Sequence, residues 1–183
     1  MTTIFVEAPV NQTFVNAVQR LPSVKVFSKH DQEIFKLFPR MIDVVIGYDL
    51  FDVCKKMPFN STVVVIRDEL IFLPESFLIL DAAARSLQKI YCTPFDITNS
   101  ALSYSLTFNS GRHWAVGGVP PVKSFSVQNS WLLEDEDIWK QFPDVWNALE
   151  VLAGRRVAMP IPSLCAKPRE FPPGINWQLQ EKK

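Results

Sequence analysis

Glu7, Tyr48, Asp49, Arg67, Asp68, Arg112 and His113 are the side chains that could do chemistry together, provided a fold gathers them. Carboxylates converging on one rim can accept hydrogen bonds from sugar hydroxyls, act as a general base, or hold Mg²⁺. Glu7, Asp49, Asp68 and Glu69 are candidates for such a rim, with Thr93 and Asp96 just beyond. Arg67 and Arg112 offer fork-shaped donors to a phosphate or carboxylate. The run Asn109-Ser110-Gly111-Arg112-His113-Trp114 places a guanidinium, an imidazole and an indole behind a glycine, a set that suits an anion or a ring. Each group also has a plain structural alternative. Asp49 and Asp96 can cap helices, Asp68 and Glu69 can solvate a loop, and His113 can be an ordinary packed or exposed residue.

What would gather them is a series of strand-turn-helix units. The stretch Asp43-Val-Val-Ile-Gly47-Tyr48-Asp49-Leu-Phe-Asp52 reads as a buried strand, a tight turn and a helix start. Thr3–Glu7, Ser23–Ser28 and Ser61–Arg67 read as further strands, the last with four β-branched residues in succession, Val63 to Ile66. Helices are predicted after Pro9, from Ser28 to Phe38, from Asp49 to Lys56 and from Pro74 to Lys89. A fifth strand follows at Ile90–Thr93 and a helix at Thr98–Phe108. This alternation predicts an α/β, Rossmann-like open parallel sheet of about five strands with helices on both faces. Strand orders 3-2-1-4-5 and 2-1-3-4-5 both fit it. In such a sheet ligands bind outside the carboxyl ends of the strands, where the candidate residues cluster.

After Gly111 the texture changes. His113–Val116 and Ser124–Val127 read as short strands around the turn Gly117–Pro121. A helix spans Glu134–Leu152, with Pro143 predicting a kink. Residues 1–154 are thus expected as one α/β domain, with its C-terminal helices packed on it, and 155–183 as an extended Pro-rich tail. Trp131, Trp139 and Trp146 can be core or a partner stripe, so 131–183 is where a protein partner is expected.

Of the 183 residues, 19 are basic and 19 acidic, a balance that argues against general nucleic-acid binding. Cys54, Cys92 and Cys165 form no Cys-x-x-Cys pair, which predicts buried thiols in an intracellular, cytoplasmic protein. Cys92 reads as core. No basic segment followed by an apolar core opens the chain, and no apolar run reaches the roughly 20 residues of a membrane span. There is no Gly-x-Ser-x-Gly elbow, dinucleotide fingerprint or Walker loop.

The segments Asp43-Val-Val-Ile-Gly-Tyr-Asp-Leu-Phe51 and Val63-Val-Val-Ile-Arg-Asp-Glu-Leu70 resemble the N-terminal lobe of GT-B glycosyltransferases. There, turns of the Tyr-Asp-Leu and His-Asp-Leu kind end successive strands. The run Trp114–Phe125 is similar to the segment before that family's interlobe linker. The likeness covers residues 1–125, with Arg67 standing where the family often has His. It implies an acceptor-type lobe without its donor lobe, binding a sugar or sugar phosphate through Asp49, Arg67, Asp68 and Arg112. The alternative is a non-catalytic interaction protein or assembly subunit that uses the C-terminal helix and tail.

Overall fold

The computed structural model describes residues 1–95, 105–117, 120–142, 148, 151–152, 156–172 and 174–181. The first half follows the alternation. Strands β1 (Thr2–Val6), β2 (Val24–Ser28), β3 (Val44–Ile46) and β4 (Thr62–Ile66) lie parallel in the order 3-2-1-4. Helix α1 (Gln12–Val18) connects β1 to β2, and α2 (Leu50–Lys56) connects β3 to β4.

Residue parity along the strands builds two core layers. Ile4, Val6, Val26, Val64 and Ile66 face α1 and α3 (Ser76–Ser86), meeting Phe14, Phe77 and Leu80. Phe5, Phe27, Val63 and Val65 face the other way, toward Leu50 and Cys54 of α2. Strands covered on both faces need apolar residues at every position, which is why β4 reads Thr-Val-Val-Val-Ile without alternation.

Beyond β4 the sheet is mixed. Among the described residues it has nine strands in the order β3-β2-β1-β4-β9-β6-β10-β8-β7. The additional members are β6 (Tyr91–Cys92), β7 (Ser105–Asn109), β8 (Arg112–Val116), β9 (Phe125–Gln128) and β10 (Val157–Ile161). The class is α/β and Rossmann-like, but the expected fifth parallel strand, β6, does not touch β4. The antiparallel β9 sits between them. Helices α4 (Asn129–Glu134) and α5 (Glu136–Gln141) follow β9 and cover the α2 face through Leu132 and Trp139. A second small sheet pairs β5 (Ile71–Phe72) with β11 (Cys165–Ala166). The short α6 (Gln178–Glu181) lies near it.

Several local readings change. Residues 105–108, expected to end a helix, are strand β7. The two-residue turn Ser110-Gly111, with φ of 52° and 78°, folds β7 back on β8. Residues 96–104, with Asp96 and the start of that helix, lie outside the described residues. The α-helix expected through Phe38 is a 3-10 turn, Glu33–Leu37. Phe38 precedes a proline and is held extended, so the turn has no room to lengthen. The helix after Pro9 starts only at Gln12, capped by Asn11. The helix expected from Glu134 begins at Asn129 and breaks at Asp135; Pro143 lies outside the described residues. Residues 157–161, expected in an extended tail, form β10 inside the sheet. Its Pro160 is tolerated because β6 pairs only with Val157 and Ala158, so at Pro160 the strand has a neighbour on one side alone.

The three cysteines are buried and unbridged. Burial pushes the thiols of Cys54 and Cys92 up to about 12, far from a nucleophilic range. Among the described residues no helix is long and apolar enough to cross a membrane.

Candidate functional site

The connection from β1 leads to β2 on one side, and the chain later returns to β4 on the other. The point of reversal lies between β1 and β4, and a crevice is expected at their carboxyl ends. Glu7 follows β1 there and Arg67 follows β4. The ladder continues past both strand ends, since the Glu7 amide donates to the Ile66 carbonyl at 2.8 Å and the Lys29 amide to Val6 at 3.0 Å. These bonds fix three charged side chains at one spot. The Glu7 carboxylate pairs with Lys29 Nζ at 2.5 Å through one oxygen and with the Arg67 guanidinium through the other.

Burial alone would raise the pKa of Glu7, and it is the largest single influence. Arg67 and Lys29 together outweigh it and hold the carboxyl below its ordinary value, so Glu7 is ionised at neutral pH. Arg67 is itself held from behind, with its guanidinium 5.9 Å from the centre of the Trp139 ring.

Gly47, with φ of +83°, turns the chain out of β3, and its amide donates to Ser28 at 2.8 Å. Tyr48 then packs its ring on Phe5, with centroids 5.1 Å apart, and on Phe27 at 6.2 Å. Its hydroxyl is buried and faces the Glu7 carboxylate. Burial, reinforced by the Glu7 carboxylate, drives the phenol's pKa well up, so the group is a neutral donor.

A cleft of about 340 Å³ opens beside this cluster, lined by Glu7, Pro9, Ser28, Lys29, His30 and Gln32 among others. Its floor is rigid for a local reason. The Gln32 amide donates to Ala8 O and accepts from Val10 N, both at 3.0 Å, and so clamps the loop after β1.

The remaining candidates do other things. Asp49 accepts from the Asp52 amide at 3.0 Å as the N-cap of α2. Replacing it with alanine should cost about 1 kcal/mol in urea unfolding, as cap losses do, and leave ligand affinity at the rim unchanged. Asp68 accepts from the Lys123 amide at 2.6 Å and the Ser124 hydroxyl at 3.1 Å, locking the approach to β9 onto the end of β4. Glu69 faces a separate cleft with Asn11, Ile71 and Pro168. Thr93 spends its amide and hydroxyl on Ala158 O, at 2.8 and 3.1 Å.

Arg112 and His113 lie at the same end of the sheet, but five strand intervals from β1, about 24 Å at ordinary strand spacing. Arg112 donates to Pro162 O at 2.7 Å and faces Glu75 at 3.7 Å; burial lowers its pKa. His113 packs edge-on against Phe108 at 5.1 Å. The carboxylates therefore do not converge into a cradle for Mg²⁺, and no three metal-ligating side chains group together among the described residues. Of the candidates, the structure brings together Glu7, Tyr48 and Arg67. It adds Lys29 and Trp139, which sequence reasoning missed as site residues, and His30, which the sequence offers only as a weaker candidate near a helix start. Lys29 was within reach, because it follows the β2 strand as Glu7 follows β1.

Of the tryptophans expected as core or partner stripe, Trp139 is core, stacked on Phe125 at 5.2 Å. Trp131 is half-buried beneath Lys89, whose amine is 4.7 Å from the ring centre, and Trp146 lies outside the described residues.

No protein-family model matches the chain, that of the GT-B lobe included, and no curated protein matches it. Among solved structures it is similar to the crystal structure of 4-diphosphocytidyl-2C-methyl-D-erythritol synthase, with 12% sequence identity over 86% of each chain and a TM-score of 0.42. The fold is α/β and Rossmann-like, with a polar cluster at its topological reversal.

Proposed function

We propose that the carboxyl rim around Glu7 binds a sugar phosphate or a related sugar-bearing ligand, as in a glycosyltransferase-like lobe without its own donor lobe. The observation that carries this reading is a largely buried carboxylate held between two cations at the edge of a cleft, with the buried Tyr48 hydroxyl beside it. Glu7, Lys29 and Arg67 sum to one positive charge, which suits a phosphate. Lys29, half exposed at the cleft, is the group free to swing onto it. The second oxygen lone pairs of Glu7 and the hydroxyl of Tyr48 suit sugar hydroxyls.

The test is thermal unfolding with glucose 1-phosphate, UDP-glucose, UMP and Mg²⁺ in turn. A ligand at a hundredfold excess over its Kd should raise the Tm by roughly 5–10 °C, and Lys29→Ala should remove most of that rise. Absence of a shift with every sugar-bearing probe would overturn the reading.

A further inference from the structure

A second cavity lies at the opposite, amino end of the sheet. It measures about 320 Å³ and is bounded by β1 and β2 on one side and the carboxyl end of α2 on the other. Met1, Phe27, Val53, Met57 and Pro58 give it an apolar lining, and Lys25 and Lys56 stand at its edge.

The lysines set this cavity apart from an ordinary packing defect. Lys29, Lys36, Lys55, Lys89 and Lys140 each face a carboxylate. Lys25 and Lys56 have no acidic partner among the described residues; the Lys25 amine lies over the Phe27 ring, 5.4 Å from its centre. Lys56, in the last turn of α2, also complements the helix dipole, whereas Lys25 is on a strand, where no dipole needs it. Two unpaired cations over an apolar slot define a ligand by charge complementarity: an apolar body ending in one anionic group.

Volume bounds its size. At about 30 Å³ for each water-sized unit, the slot takes roughly ten heavy atoms. We propose that this slot binds a small amphipathic carboxylate, such as a medium-chain fatty acid, with its chain against Phe27, Val53 and Met57 and its carboxylate between Lys25 and Lys56. The site is separate from the rim around Glu7 and does not depend on what binds there.

Methionine methyl NMR reads the slot directly. Of the four methionines, Met1 and Met57 line it, Met159 is fully buried in β10, and Met41 is exposed elsewhere. Octanoate, which has ten heavy atoms, is titrated below its micelle-forming concentration into the full chain. Octanamide, of the same size and uncharged, is the comparison. The Met57 and Met1 methyls should shift saturably with octanoate while Met41 and Met159 stay put. Octanamide should bind at least about fivefold more weakly, and Lys25→Ala combined with Lys56→Ala should weaken octanoate by roughly fivefold per lysine, the upper range for exposed ion pairs. Both lysines are exposed, so the double variant folds. No saturable shift at Met57, equal shifts at all four methyls, equal binding of octanamide, or unchanged binding by the double variant would each overturn the proposal.

Discussion

Arg67→Ala should abolish ligand binding at the rim and lower stability by about 3 kcal/mol in urea unfolding. The loss comes from leaving the largely buried Glu7 carboxylate with Lys29 as its one remaining ion-pair partner among the described residues. Breaking a buried pair from one side typically costs about 3–5 kcal/mol, and the remaining lysine puts this case at the lower end. Removing both partners together, as in Glu7→Gln with Arg67→Met, should recover most of that loss, because no buried charge is then stranded. The double variant is the decisive protein: it should be folded and fail to bind. A double variant that binds sugar phosphate as the wild type does would show that the cluster is only structural.

The acid limb provides a second readout of the same pair. Glu7 is held below its ordinary value when folded, so its contribution is complete above the unfolded glutamate value of about 4.3 and is lost as pH falls through the lower folded value. The gap in stability between wild type and Glu7→Gln should therefore narrow as the pH is lowered below about 4.

Trp139→Ala should cost about 3–5 kcal/mol, the range for truncating a large buried aromatic, which lowers the Tm by roughly 6–20 °C for a chain of this size. Its ring stacks on Phe125 at 5.2 Å, tilts against Tyr91 at 5.8 Å and supports Arg67. Its indole N–H donates to the Tyr91 hydroxyl at 3.2 Å. That hydroxyl donates to Asp135 at 2.7 Å, and Asp135 in turn accepts from Arg156 Nη1 at 2.9 Å. Trp139→Phe keeps part of the packing but loses the donor and three ring atoms, so it should cost about 2 kcal/mol. The alanine variant should also weaken rim ligands, since Arg67 loses its backing; Trp139→Phe should retain most of the affinity.

The half of the sheet that carries the site was readable because its residues report on themselves. Apolar runs with β-branched residues gave β1 to β4. Turn residues gave their ends, and the ends gave Glu7 and Arg67. Tyr48 entered the candidates because it shares the turn that ends β3. What failed to show was partnership across long stretches of chain. Nothing in Phe125–Gln128 says that it inserts beside β4, because a short buried strand reads the same in either direction. Ser110-Gly111 was the available hairpin signal that would have replaced the end of the predicted helix by β7. Val157–Ile161 was hidden by Pro160, which belongs to a tail by composition and to a strand only once β6 is seen to stop short of it. The same limit put Arg112 and His113 with the rim residues: strand ends can be read one by one, but the distance between them depends on strand order.

The insertion of β9 beside β4 also decides the order in which the molecule can be completed. Strands β1 to β4 need only residues up to Ile66; β1–β2 and β2–β3 close over short crossovers, while β1 and β4 already join Thr2 to Thr62. β6 has one residue paired to β9 and two to β10, so it has no place in the sheet until residues near 126 and 158 have arrived. During synthesis the rim around Glu7 can thus be framed early, while Trp139, which backs Arg67, is still to come. Closing such distant pairings is slow, and the exposed edge of β4 is the surface at risk in the interval.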